Sequence, residues 1–374
     1  MRSFLGSSLA VALVLTAAGC GDDLTSTDDG TDVVGDHTGI DNSTATPSLL
    51  FPELCAARNF DNAVVQDKEM VLRAVSTPMG TAVFGVPKSG GPLYGFVADA
   101  RGQVMGDMHG TKIISGDFTG LSASRVDGRV VAGLVQNDKV EMYVIKDDLT
   151  AIHALDTVGN SDVISDATVI HQRGQRIAFA GGSDGVVMTR FDDQWASQGQ
   201  SIYTRDVPTS ISSSSYGSDA MFAWSTQHGC SIARMGAELV STQHYECNNN
   251  HIAIDQSVKG GHMLFEGQDG IHDASIMVGT RNELATEHLI GPHGTSPRVA
   301  FDGTRFWGTY LDIHGSLVVG YMADDGHLRS MTLSNVRPTA DAYDLSVTNN
   351  EVWVYAADQE NGYTASRVCL TKAD

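Results

Sequence analysis

Gly91-Pro-Leu-Tyr-Gly-Phe-Val-Ala-Asp-Ala-Arg-Gly-Gln-Val-Met105 lines up without a gap with Gly315-Ser-Leu-Val-Val-Gly-Tyr-Met-Ala-Asp-Asp-Gly-His-Leu-Arg329, 224 positions later. Each reads as an apolar strand, a polar turn and a second strand, so one hairpin design occurs twice. The same succession recurs near residues 140–152, 186–195, 230–240 and 274–285, and once more from residue 363 to the end. The step is about 45 residues, the spacing of a repeat architecture. Every unit opens with a further hairpin. It is clearest in Pro297-Arg-Val-Ala-Phe-Asp-Gly-Thr-Arg-Phe-Trp-Gly-Thr-Tyr310, where an alternating apolar strand meets Asp302-Gly303 and an aromatic-rich strand leaves it. Such a turn needs positive φ, which Asp-Gly supplies. Equivalent turns stand at Asp127-Gly128, Arg173-Gly174, Gly217-Ser218, Gly260-Gly261 and Asn349-Asn350, and no segment carries a long amphipathic helical pattern.

Four short antiparallel strands per unit, repeated about seven times without helices, resemble a β-propeller. This resemblance covers nearly all of residues 48–374 and implies an all-β ring of seven four-stranded blades. The turns place the blades at 67–110, 111–158, 159–205, 206–248, 249–293, 294–336 and 337–374. The last unit has no room for its fourth, outer strand. The stretch Glu53-Leu-Cys-Ala-Ala-Arg-Asn-Phe60 precedes the first complete blade without a partner, and is expected to close the ring.

That closure sets Cys55 beside Cys369 on a neighbouring strand. Cys230 and Cys247 fall in one blade, on its third strand and just past its fourth. Five cysteines less Cys20, discussed next, leave these four, and two disulfides are expected in an exported chain.

The chain opens with Arg2, an apolar run over residues 4–18 and the close Leu15-Thr16-Ala17-Ala18-Gly19-Cys20. This is a secretion signal, too short and wrongly flanked for a spanning helix. Its end resembles the lipobox of bacterial lipoproteins, with Ala17 where that family usually carries leucine. The resemblance implies removal of residues 1–19 and modification of the Cys20 sulfur by acyl chains such as palmitate, two or more of which anchor stably. In that family an aspartate directly after the cysteine marks inner-membrane retention. Gly21 stands there, which implies the outer membrane of a two-membrane envelope, with the fold facing the periplasm or the exterior. Residues 21–47 hold seven aspartates, no lysine or arginine and few large apolar side chains. They read as a solvated, charge-extended tether, giving three parts: 1–19, 20–47 and 48–374.

The net charge of −21 divides into +1 from Arg2, −7 from the tether and −15 for residues 48–374. An acidic folded part argues against nucleic acid, whose phosphates call for basic patches. Gly181-Gly-Ser-Asp-Gly185 satisfies the Gly-x-Ser-x-Gly pattern, but strands rather than a strand and a helix flank Ser183, so its glycines serve a hairpin. Metalloprotease, phosphate-loop and dinucleotide fingerprints are absent. His109, His251 and His293 on blade-to-blade connections, with His228, His272 and His314 on second-to-third-strand turns, open on one face. No close-spaced pair among them signals a metal, and neither metal nor cofactor is expected. Trp224, Trp307 and Trp353 occupy equivalent second strands, which points to packing between blades. Asp302-Gly-Thr-Arg-Phe-Trp307 partly resembles the aspartate box of sialidase propellers. It departs from it at Ala300, where that box has serine, and in the spacing to tryptophan.

The expected function is a monomeric lipoprotein held at the envelope by its lipid. It binds a protein or glycan partner through the loop face opposite the short hairpin tips, without catalysis. The alternative is a glycan hydrolase or lyase using carboxylates near the channel. Asp117, Asp162, Asp206 and Asp341 stand at blade entries and are the candidates, since acid and base would both be carboxyl groups.

Overall fold

The computed structural model describes residues 50–60, 69–106, 110–137, 139–154, 167–172, 174–216, 219–235, 239–248, 251–257, 260–277, 287–358 and 362–372. They form seven antiparallel sheets arranged as a ring, a seven-bladed β-propeller, with no helix among them. The innermost strands, in order, are Met70–Thr77, Gly120–Val126, Ala167–Gln172, Pro208–Tyr216, Ile252–Gln256, Thr295–Phe301 and Pro338–Thr348.

The burial of each strand follows its place in the blade. The second strand of blade 1, Gly80–Pro87, is buried along its whole length, because adjacent blades cover both of its faces. Its run of small and apolar residues therefore does not need to alternate. The outer strand of blade 3, Ser197–Thr204, is exposed over most of its length, and half of its residues are serine or glutamine. Apolar residues form seven clusters, one at each contact between neighbouring blades. The core is thus a ring of interfaces around a polar axis.

The expected turns at Asp127-Gly128, Asp302-Gly303 and Asn349-Asn350 form, whereas Gly260 and Gly261 lie in the strand Gly260–Glu266 because they pair with Met277 and Ile276, and Arg173 and Gly217-Ser218 lie outside the described residues. Asp127 and Gly128 have φ of 49° and 72°, and Asn349 and Asn350 have 54° and 61°, suiting two-residue hairpins. The tryptophans pack as expected. Trp224 stacks on Phe222, which stacks at 4.0 Å on Phe179 of the preceding blade. Trp353 lies so close to Gly102 that a Cβ there would come within 2.5 Å of its ring.

The N-terminal strand closes the ring. It runs Leu50–Phe60 and pairs antiparallel with Gly362–Lys372 as the fourth strand of blade 7. Cys55 is the extra residue of a bulge between Leu54 and Ala56, and it is bonded to Cys369 with Cα atoms 5.8 Å apart. Cys230 is bonded to Cys247 in blade 4. Disulfides of this kind belong to an oxidising compartment.

One blade boundary differs from the sequence reading. Thr111–Phe118, expected to open blade 2, is an outer strand of blade 1 and pairs with Gly91–Ala98. The hairpin partner expected there, Val104–Met105, is two residues long and covers only Val97 and Ala98, so the rest of that edge takes the following segment. Blade 2 begins at Gly120.

Candidate functional site at the channel mouth

The inner strands of all seven blades line a central cavity of about 380 Å³. Its wall is rich in hydroxyls, among them Ser76, Ser122, Thr168, Ser212 and Ser346, with Arg73, Arg298, Asp255 and Asp344 as the charged groups. These polar side chains share the lining with small and apolar ones such as Ala74, Ala123 and Ala253, while Leu72, Val169 and Leu345 of the same inner strands enter the interfaces between blades.

Both channel aspartates bond across blades. Asp255 of blade 5 accepts the Ser214 hydroxyl of blade 4 at 2.5 Å and the Phe301 N–H of blade 6 at 2.7 Å. Asp344 of blade 7 accepts the Ala74 N–H of blade 1 at 2.8 Å and faces Arg298 of blade 6 at 4.0 Å. Burial pushes both carboxyls above their ordinary range. The hydrogen bonds to Ser214, Gln256 and Phe301 work against this at Asp255, and Arg73 and Arg298 do so at Asp344.

Connections between blades and turns between second and third strands open on one face, here called the entry face. At its centre a chain of polar contacts spans the channel mouth. Lys88 of blade 1 lies 2.8 Å from Asp341 of blade 7, whose other oxygen lies 3.0 Å from Nε2 of His251 at the entry of blade 5. The His251 Nδ1 is 3.4 Å from Glu266, which accepts the Ser296 N–H of blade 6 at 2.5 Å. Tyr343 donates to the Ser296 carbonyl, and the Arg298 guanidinium stands over the Tyr343 ring at 5.4 Å. Burial would raise the Asp341 carboxyl, but the bond and charge of His251, with Arg73 and Lys88, hold it well below the usual range. Burial would lower His251, and the bonds to Asp341 and Glu266 outweigh it, leaving the imidazole above its ordinary value despite Arg298.

The four aspartates singled out in the sequence therefore part company. Asp341 belongs to the mouth. Asp117 does not stand at a blade entry: it ends the outer strand of blade 1, where a Cβ on Gly90 would lie 2.3 Å from its Oδ1. Asp206 is exposed on the link into blade 4 and accepts the Thr204 hydroxyl at 3.0 Å. Asp162 lies outside the described residues, as do His109 and Cys20.

Of the histidines, His251 enters the mouth chain and His272 is held between Asp269 at 2.6 Å and Glu287 at 2.8 Å. Among the described residues no three His, Cys, Asp or Glu side chains are grouped to hold a metal ion. Ser183 sits in the turn between Gln175–Gly182 and Gly185–Phe191, with a strand on either side. Asp302 uses its carboxylate on its own loop, accepting the Thr304 and Arg305 N–H groups and the Trp307 indole, all at 2.7 Å.

No protein-family model matches the chain, and no curated protein matches it. Solved structures do match in fold. BBS1N, crystallised in complex with ARL6DN, superposes with a TM-score of 0.56 at 9% identity, over 86% of this chain and 97% of that one. The SapL1 lectin in complex with alpha methyl fucoside gives 0.51 at 10% identity, over 76% of this chain and all of that one. Both likenesses concern the propeller alone.

Proposed function

We propose that this protein is an envelope-anchored lipoprotein whose propeller binds a partner through its entry face without converting it. The observation that carries this reading is how the described carboxylates of the channel and mouth are used. Asp255, Asp344, Asp341 and Glu266 each bond to a backbone N–H, a hydroxyl or a cation of another blade, so they tie the ring together and leave no evident acid and base pair. Propellers of the same fold include one crystallised with a protein and one with a fucoside, and either kind of partner suits this face. The acidic balance of residues 48–374 speaks against nucleic acid. Anchoring rests on the signal segment and Cys20, with residues 21–47 as a tether and a monomeric propeller beyond it. A Cys20→Ser variant is expected to lose tight membrane association on fractionation, and an unchanged distribution would refute the anchor.

A second reading, a glycan hydrolase or lyase, draws on the raised carboxyls of Asp255 and Asp344 in a central cavity. Incubation of the purified protein with glycan and peptide ester substrates separates the two. Turnover abolished by Asp344→Asn would establish the enzyme, and absence of turnover supports the binding module.

A further inference from the structure

Away from the channel, a second cavity of about 690 Å³ opens on the entry face at blade 4. One wall is the link carrying Arg205, Asp206 and Val207, the facing wall is the turn with Gln227 and His228, and the end of the outer strand, His244-Tyr245, closes it.

The walls are held in place. Gly229, at φ 135°, packs so closely that a Cβ would lie 2.6 Å from the Tyr245 carbonyl oxygen, which sets the turn against the outer strand. The Cys230–Cys247 bond ties the third strand to the exit of the fourth at the same point. The Ser231 hydroxyl meets Nδ1 of His244 at 2.6 Å and orients that ring. A cavity whose walls are fixed beforehand loses little freedom when a ligand enters.

Part of its polar lining is unspent. The side chains of Arg205, Gln227 and His228 are exposed and make no hydrogen bond or ion pair with the described residues. Asp206 takes a single side-chain hydroxyl, that of Thr204. Beside them lie apolar surfaces: Val207, 42% exposed, Pro208 and the half-buried Tyr245. Burial, aided by Glu287, pushes the Tyr245 phenol up to about 12, so it stays protonated.

A guanidinium fork and a carboxylate on adjacent residues supply donors and acceptors together, which matches vicinal hydroxyl groups that do both. An aromatic and aliphatic wall suits the C–H face of a pyranose. Arg205 and Asp206 carry opposite charges side by side, so the cavity does not select for a charged ligand. Asp206 is also the one carboxylate among its described lining residues, so the carboxylate pair of glycoside hydrolysis is missing there.

We propose that the blade 4 cavity, in which Arg205 and Asp206 face Gln227 and His228 beside Tyr245, binds a neutral sugar residue of a glycan. This deepens the reading of the entry face as a binding surface and rests on it. The test is saturation-transfer NMR on the purified full-length protein with the methyl glycosides of glucose, galactose, mannose, fucose and N-acetylglucosamine. At least one should give transfer with a Kd of about 1 mM or tighter, in the range expected of a single sugar. Arg205→Ala should weaken it by about 10-fold or more, as loss of a charge-assisted hydrogen bond does. Arg101→Ala, on an exposed turn of blade 1 away from both cavities, should leave it unchanged. Both substituted side chains reach solvent, and a melting curve checks that each variant folds. No transfer from any of these glycosides, or affinity retained in both Arg205→Ala and Asp206→Ala, would overturn the sugar site. If a purified protein partner then cross-links to the entry face, the sugar site fails while the binding module stands. If neither binds, both fail.

Discussion

Replacing Cys55 and Cys369 together by alanine reopens the covalent ring while leaving the closing strand paired at ten register positions with its neighbour. The effect should therefore arise in the unfolded chain. In the chain-entropy model, a bond spanning 314 residues removes about 5–6 kcal/mol of unfolded-state freedom, whereas the Cys230–Cys247 bond, spanning 17, removes about 3 kcal/mol. For a folded part of about 320 residues, with an unfolding entropy of about 2.1 cal/mol/K per residue, these correspond to Tm losses of about 8 °C and about 5 °C. Differential scanning calorimetry of the two double variants beside the parent, without reductant, reads both values under one condition. The diagnostic is the order. If the Cys230→Ala/Cys247→Ala protein loses as much as the Cys55→Ala/Cys369→Ala protein, or more, ring closure is not the source of the stability and the argument fails.

Asp255→Ala leaves the Phe301 N–H and the Ser214 hydroxyl without their acceptor, and should destabilise by about 2–4 kcal/mol in denaturant titration. Asp255→Asn, which keeps one acceptor oxygen, should lose less, and equal losses would remove the inter-blade role. The mouth pair has a defined pH window. Because His251 is raised on folding, its contribution is complete below its unfolded value of about 6.5 and is lost as pH rises through the folded value; Asp341, lowered on folding, contributes above about 4 and loses this only in stronger acid. The Tm gap between the parent and His251→Gln should thus be wide at about pH 5 and narrow by about pH 8.5. A gap independent of pH would show that the imidazole serves packing alone.

Much of the fold is written in local pattern. Strand alternation with Asp-Gly and Asn-Asn turns defines the hairpins, because strand geometry and positive φ are properties of neighbouring residues. The shortfall after Tyr363 called for a strand from the other end of the chain, and with it for the pairing of Cys55 with Cys369. The edge of blade 1 was not legible. Alternation marks Thr111–Phe118 as a strand, but it does not say whether that strand pairs backward with Gly91–Ala98 or forward with the next blade. Only the short reach of Val104–Met105 decided it. The site was less legible still. An aspartate inside an apolar inner strand, as at Asp255 and Asp344, was a visible signal of a buried polar contact. Its partners were not visible, because Ala74 and Asp344 are 270 positions apart and His251 and Asp341 are 90 apart. Residues so far apart meet only when seven interfaces have closed the ring, and no neighbour in sequence records the distance at which an oxygen will find its hydrogen.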